Sequence, residues 1–88
     1  MKTRVAVIAI IVENHASVAA INSLLHDASA YIVGRMGVPY RERGISLISV
    51  ALDAPQDVIS ALSGRIGALP GVTAKTVYSN VISDTIQV

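Results

Sequence analysis

The segment KTRVAVIAIIV, Lys2 to Val12, is apolar on two faces at once. Its Val and Ile content suits a strand, where branched side chains pack well on a pleated surface. Side chains of a strand alternate between faces. One face then carries Ala6, Ile8, Ile10 and Val12, and the other Val5, Val7, Ala9 and Ile11. A strand with no polar face belongs inside a sheet that is covered on both sides. The segment also imitates a secretory leader, since Lys2 and Arg4 precede its apolar run. The run is β-branched and Ala-rich rather than Leu-rich, and the sheet needs it, so a strand is expected. It is far shorter than the roughly 18 apolar residues that span a membrane.

A helix follows. Asn14 can cap it by accepting an amide hydrogen bond. Val18, Ile21, Leu25 and Ala28 recur at spacings that align them on one helical stripe, with Ser17, Asn22, Ser23 and Asp27 mainly off it. A second strand is expected over residues 30–36 and a third over residues 45–52. A second helix then starts at Asp53-Ala54-Pro55. Pro55 suits the first helical position, and Asp57 suits the positive end of the helix dipole. Its stripe is Val58, Leu62, Ile66 and Leu69. Pro70-Gly71 turns the chain into a last strand over residues 72–78.

The order is strand-helix-strand, turn, strand-helix-strand. Two such units make a split βαβ, an α+β ferredoxin-like βαββαβ fold. It has a four-stranded antiparallel sheet with two helices on one face, and the first and third strands lie inside. Residues 1–79 form one domain. Residues 80–88 form a tail with Val81, Ile82, Ile86 and Val88, expected as an added strand, a subunit contact or a frayed end.

The chain has 88 residues, of which 52% are hydrophobic, and its mean hydropathy is +0.59. A domain this small buries only about 60% of its unfolded surface. The surplus apolar material, together with the doubly apolar first strand, points to a homo-oligomer, a dimer or tetramer, that covers the second sheet face.

Chemistry is sparse. The formal net charge is +1, from 7 basic and 6 acidic residues, too weak a field to steer the chain onto nucleic acid. The aromatics are Tyr31, Tyr40 and Tyr78, with no basic-aromatic motif and no helix-turn-helix. Direct nucleic-acid binding is therefore not expected, nor is a membrane partner. The chain has no Cys, which removes disulfides and thiolate sites and fits a cytoplasmic protein. No acid/base pair has a spacing that demands catalysis, and no Ser-His-Asp context, G-x-S-x-G or P-loop occurs, so no catalytic residue is named and no enzyme or cofactor is expected. His15 and His26 are eleven residues apart, roughly 16 Å along a helix at 1.5 Å per residue. They cannot share a metal within one subunit, and no metal ligand is assigned.

Residues 34–44, GRMGVPYRERG, stand apart from this apolar background. Gly34, Gly37, Pro39 and Gly44 read as a hairpin connection. A turn alone does not call for Arg35, Arg41 and Arg43 around Tyr40, because guanidinium groups fork onto carboxylates and phosphates. The ligand or interface candidates are Asn14, His15, Gly34, Arg35, Met36, Gly37, Tyr40, Arg41, Glu42 and Arg43.

The segments VAVIAIIVE, YIVGRMGVPYRERGISLISVALDAPQDVISALSGRIGALPGV and KTVYS resemble a family of small proteins proposed as regulators of the iron-only hydrogenase system. The resemblance covers about residues 4–79. It implies an ACT-like fold, similar to the C-terminal ligand-binding domain of nickel-responsive regulators. ACT-like domains bind amino acids or other small effectors, often between subunits. There the loop after the first strand helps to hold the ligand, and here that loop contains Asn14 and His15. The expectation is an oligomeric regulatory or sensor domain that binds a small effector or a partner protein. The alternatives are a ligand-free interaction module, an amino-acid-binding ACT domain and a metal sensor.

Overall fold

The structure, a computed structural model, describes residues 2–84. Six elements follow in the order β1 (Lys2–Val12), α1 (Val18–Asp27), β2 (Ile32–Tyr40), β3 (Ile45–Ala54), α2 (Gln56–Gly67) and β4 (Val72–Asp84). Single 3-10 turns occupy His15–Ser17, Ser29–Tyr31 and Arg41–Arg43. The strands form one antiparallel sheet in the order β2-β3-β1-β4. β1 and β3 are thus the inner strands, as the apolar pattern of β1 requires.

The even-numbered residues of β1 and β3 face the helices. In register, Ala6 stands opposite Leu52, Ile8 opposite Val50 and Ile10 opposite Ile48. They are buried in one core with Ile21 and Leu25 of α1 and Ile59, Leu62 and Ile66 of α2. Burying one branched aliphatic side chain contributes about 1.5–3 kcal/mol, so this layer holds the fold together. Within α2 the buried stripe includes Ile59, while Val58 and Leu69 pack only at its margin. Ser17 also differs from its polar reading. It is 4% exposed, because its hydroxyl donates to the Pro70 carbonyl at 2.7 Å and thereby satisfies a buried polar group.

The opposite face is open. It carries Val7, Ala9 and Ile11 of β1, and its register rows run across the sheet: Val77–Val7–Ala51, Lys75–Ala9–Ser49–Met36 and Thr73–Ile11–Leu47–Val38. The expectation that both faces of β1 are covered therefore fails within one chain. Val7 is 39% exposed and Ile11 43%, since both helices pack on the other side.

Residues 34–40 need the largest correction. They are not a turn. Gly34, Gly37 and Pro39 lie within β2, which pairs with β3 from Ile32 to Tyr40. Pro lacks an amide hydrogen and is tolerated on edge strands, where half the backbone has no partner to satisfy. The turn proper is Arg41–Gly44. Only Gly44 among these glycines has a positive φ, 66°, and its amide donates to the Arg41 carbonyl at 3.1 Å. Pro55 likewise caps α2 from outside, and the helix begins at Gln56. Residues 80–84 continue β4 alongside β1 after a register shift between Arg4 and Ala6. Residues 85–88, with Ile86 and Val88 of the tail, lie outside the described residues.

Candidate functional site

The candidates divide among three places. The first is a cleft of about 400 Å³ at the end of the sheet where β1 finishes and β3 begins. His15 enters it from the β1–α1 loop and Arg41 from the β2–β3 turn. Val12, Pro39, Ile45 and Ser46 complete its walls, with Gly44 at the rim. Both loops are held locally. The Asn14 side-chain oxygen accepts from the Ala16 amide at 3.0 Å, so Asn14 acts as the expected cap, here of the 3-10 turn that bears His15. The turn before β4 clamps the same loop, with the Glu13 amide donating to the Gly71 carbonyl at 2.7 Å. Gly71 has a φ of 68°, and a Cβ there would stand 2.6 Å from Asn14 Cβ.

The second place is the groove between α1 and β2. Arg35 points to the helix side of the sheet, where its guanidinium donates to Asn22 Oδ1 at 2.9 Å. It lines a cleft of about 190 Å³ with Val18, Asn22, Gly37 and Val38. This cleft shares Pro39 and Ser46 with the larger one, so the two adjoin along β2.

The third place is the open face. Met36 and Tyr40 are exposed there at 64% and 45%, and Gly34 shares the face through its pairing with Ala51. Met36 borders an apolar depression with Ala9, Ile11, Val38 and Leu47. Glu42 and Arg43 are exposed in the β2–β3 turn. The structure thus brings His15 and Arg41 together, sets Arg35 and Gly37 apart on the helix side, and leaves Met36 and Tyr40 on the far side of the sheet.

Five cleft residues escaped the sequence reading as site residues: Val12, Pro39, Gly44, Ile45 and Ser46. Pro39 and Gly44 read as turn residues and the other three as ordinary strand sequence, and only the pairing of Val12 with Ser46 across β1 and β3 puts them beside His15 and Arg41. Arg4 was missed as well. Its guanidinium lies 4.7 Å from the Tyr78 ring centroid, with Nε donating to the Ser79 carbonyl at 3.0 Å and Nη1 to Gln56 Oε1 at 3.2 Å. That set ties β1, β4 and α2 together and is a packing feature. Among the described residues, no three His, Asp or Glu side chains gather closely enough to hold a metal ion. No helix among them is long and apolar enough to cross a membrane.

A family model, TM1266-like, described as "Iron-only hydrogenase system regulator, putative", matches residues 4–76. Among solved structures, the chain is similar to the uncharacterized protein TM1266 from Thermotoga maritima. The two share 36% identity at a TM-score of 0.83, over 86% of this chain and 96% of that one. A formyltetrahydrofolate deformylase from Pseudomonas putida KT2440 is similar at 16% identity and a TM-score of 0.65, over 88% of this chain and 30% of that one. An unknown protein from Galdieria sulphuraria is similar at 19% identity and a TM-score of 0.61, over 92% of this chain and 48% of that one. The last two share the fold alone. No curated protein matches the chain in sequence.

Proposed function

The chain belongs to the family of TM1266-like iron-only hydrogenase system regulators, and we propose that it acts in that system as a non-enzymatic, cytoplasmic homo-oligomer that responds to a small effector or a partner protein. The open sheet face carries this reading. Among the described residues, eight large apolar side chains are exposed, and seven of them lie on that face: Val7, Ile11, Met36, Val38, Tyr40, Leu47 and Val77. The eighth, Val33, sits where β2 shifts register against β3. A contiguous apolar surface of this kind marks an association site, because leaving it in water costs free energy that a second subunit recovers.

The two clefts support the effector half of the reading. One lies on the helix side and the larger one at the end of the sheet, so neither occupies the middle of the open face where a second subunit would stack. Regulation on this account runs through the effector or through protein contacts, in keeping with a sequence that carries no helix-turn-helix and no basic-aromatic motif.

Size-exclusion chromatography with light scattering tests the association. A dimer or tetramer at micromolar concentration is expected, and a clean monomer sinks the oligomer. Native mass spectrometry of the freshly purified chain tests the effector. A co-purifying small molecule is expected, and a chain that carries none and changes stability with none acts through protein contacts alone.

A further inference from the structure

The cleft at the end of the sheet has a chemistry specific enough to name its ligand class, an inference that rests on the effector reading above. Its apolar lining is Val12, Pro39 and Ile45, and its polar lining residues are His15, Arg41 and Ser46. No carboxylate lines it. The Arg41 guanidinium is a cation that offers a planar fork of N–H donors, a fit to two oxygens of a carboxylate or phosphate. The His15 ring and the Ser46 hydroxyl add further donors. The volume, about 400 Å³, stands at the lower end of small-molecule sites and suits a compact ligand.

We propose that this cleft binds a small anion, a carboxylate or phosphate on a compact apolar body, and that it discriminates against α-amino acids. The discrimination follows from the same lining. An α-ammonium brings a second positive charge beside Arg41, and no carboxylate in the cleft compensates it. Removing the ammonium from water without a counter-charge costs free energy, and the nearby guanidinium repels it.

Isothermal titration of the full chain separates these terms with four probes. Isovalerate carries the carboxylate on an apolar body. Isovaleramide has nearly the same shape without the charge, L-valine adds only the α-ammonium, and inorganic phosphate supplies the other anion. Isovalerate or phosphate is expected to bind, and the tighter of the two identifies the headgroup. The amide and L-valine are each expected to bind about tenfold more weakly, or less, as charge-assisted hydrogen bonds imply. Arg41→Gln is expected to lose about tenfold in affinity for the anion. Arg65→Gln is expected to leave it unchanged, since Arg65 is exposed on α2 and does not line this cleft. Far-ultraviolet circular dichroism of both variants confirms that they fold. Binding of neither anion overturns the proposal, as does an unchanged affinity in Arg41→Gln. Amide binding as tight as isovalerate overturns the anion class but keeps a small-molecule effector. Valine binding as tight as isovalerate overturns the discrimination.

Discussion

Ile8 and Ile11 stand three residues apart on β1, with the same side chain and opposite surroundings. Ile8 is fully buried at 0% exposure beneath the helices, while Ile11 is 43% exposed on the open face. In the sequence the two faces of β1 are equivalent. What separates them is whether this chain supplies the cover. Both helices pack on one side, so stability there is a property of the single chain. Stability on the other side depends on a second molecule, and hence on protein concentration.

Breaking the covered side has the largest effect. Ile8→Ala is expected to cost about 3–4 kcal/mol in urea unfolding, from lost transfer energy and the cavity left behind. A cost below about 1 kcal/mol there would mean the helix-side core is not the stabilising layer. The two left-handed glycines sharpen the same contrast. Gly71→Ala drives a Cβ to within 2.6 Å of Asn14 Cβ and is expected to cost about 2–3 kcal/mol by chemical denaturation. Gly44 has a similar φ with nothing within 4 Å of a new Cβ, so Gly44→Ala carries only the backbone penalty, about 1 kcal/mol. Equal costs at the two sites would remove the close packing of Asn14 against Gly71 from the account.

The open side gives smaller effects. Ile11→Ala is expected to cost under about 1 kcal/mol in dilute solution, while weakening association on dilution in light scattering. A loss as large as that of Ile8→Ala in the monomer would erase the difference between the faces. The smallest effect belongs to Arg35→Gln. It removes one exposed hydrogen bond to Asn22 and is expected to fall within about 0.5 kcal/mol.

Much of the fold was legible in the residues because hydrophobic period reports burial directly. β1 was readable to its ends, and so were the fold class and the helix stripe of Ile21 and Leu25. β2 was read too short for a physical reason. Gly34, Gly37 and Pro39 signal a turn wherever backbone groups must all be paired, but an edge strand leaves half of them unpaired and tolerates all three. Ser17 read as a surface residue because its partner, the Pro70 carbonyl, is 53 positions away. The same limit governed the site. His15 and Arg41 were singled out for their chemistry, yet their proximity comes from the pairing of β1, β3 and β2. No local pattern shows that Arg35 turns toward α1 while Arg41 turns into a cleft.

The strand order also dictates when the molecule can be finished. β1 lies between β3 and β4, and its pairing with β4 joins Lys2 to Asp84. During translation β1 is exposed well before either neighbour exists. Non-local pairing of this kind slows folding, and an unpaired apolar strand invites aggregation in the interval. Of the four strands described, β1 is made earliest and acquires both neighbours last, which makes this fold dependent on prompt synthesis of β4.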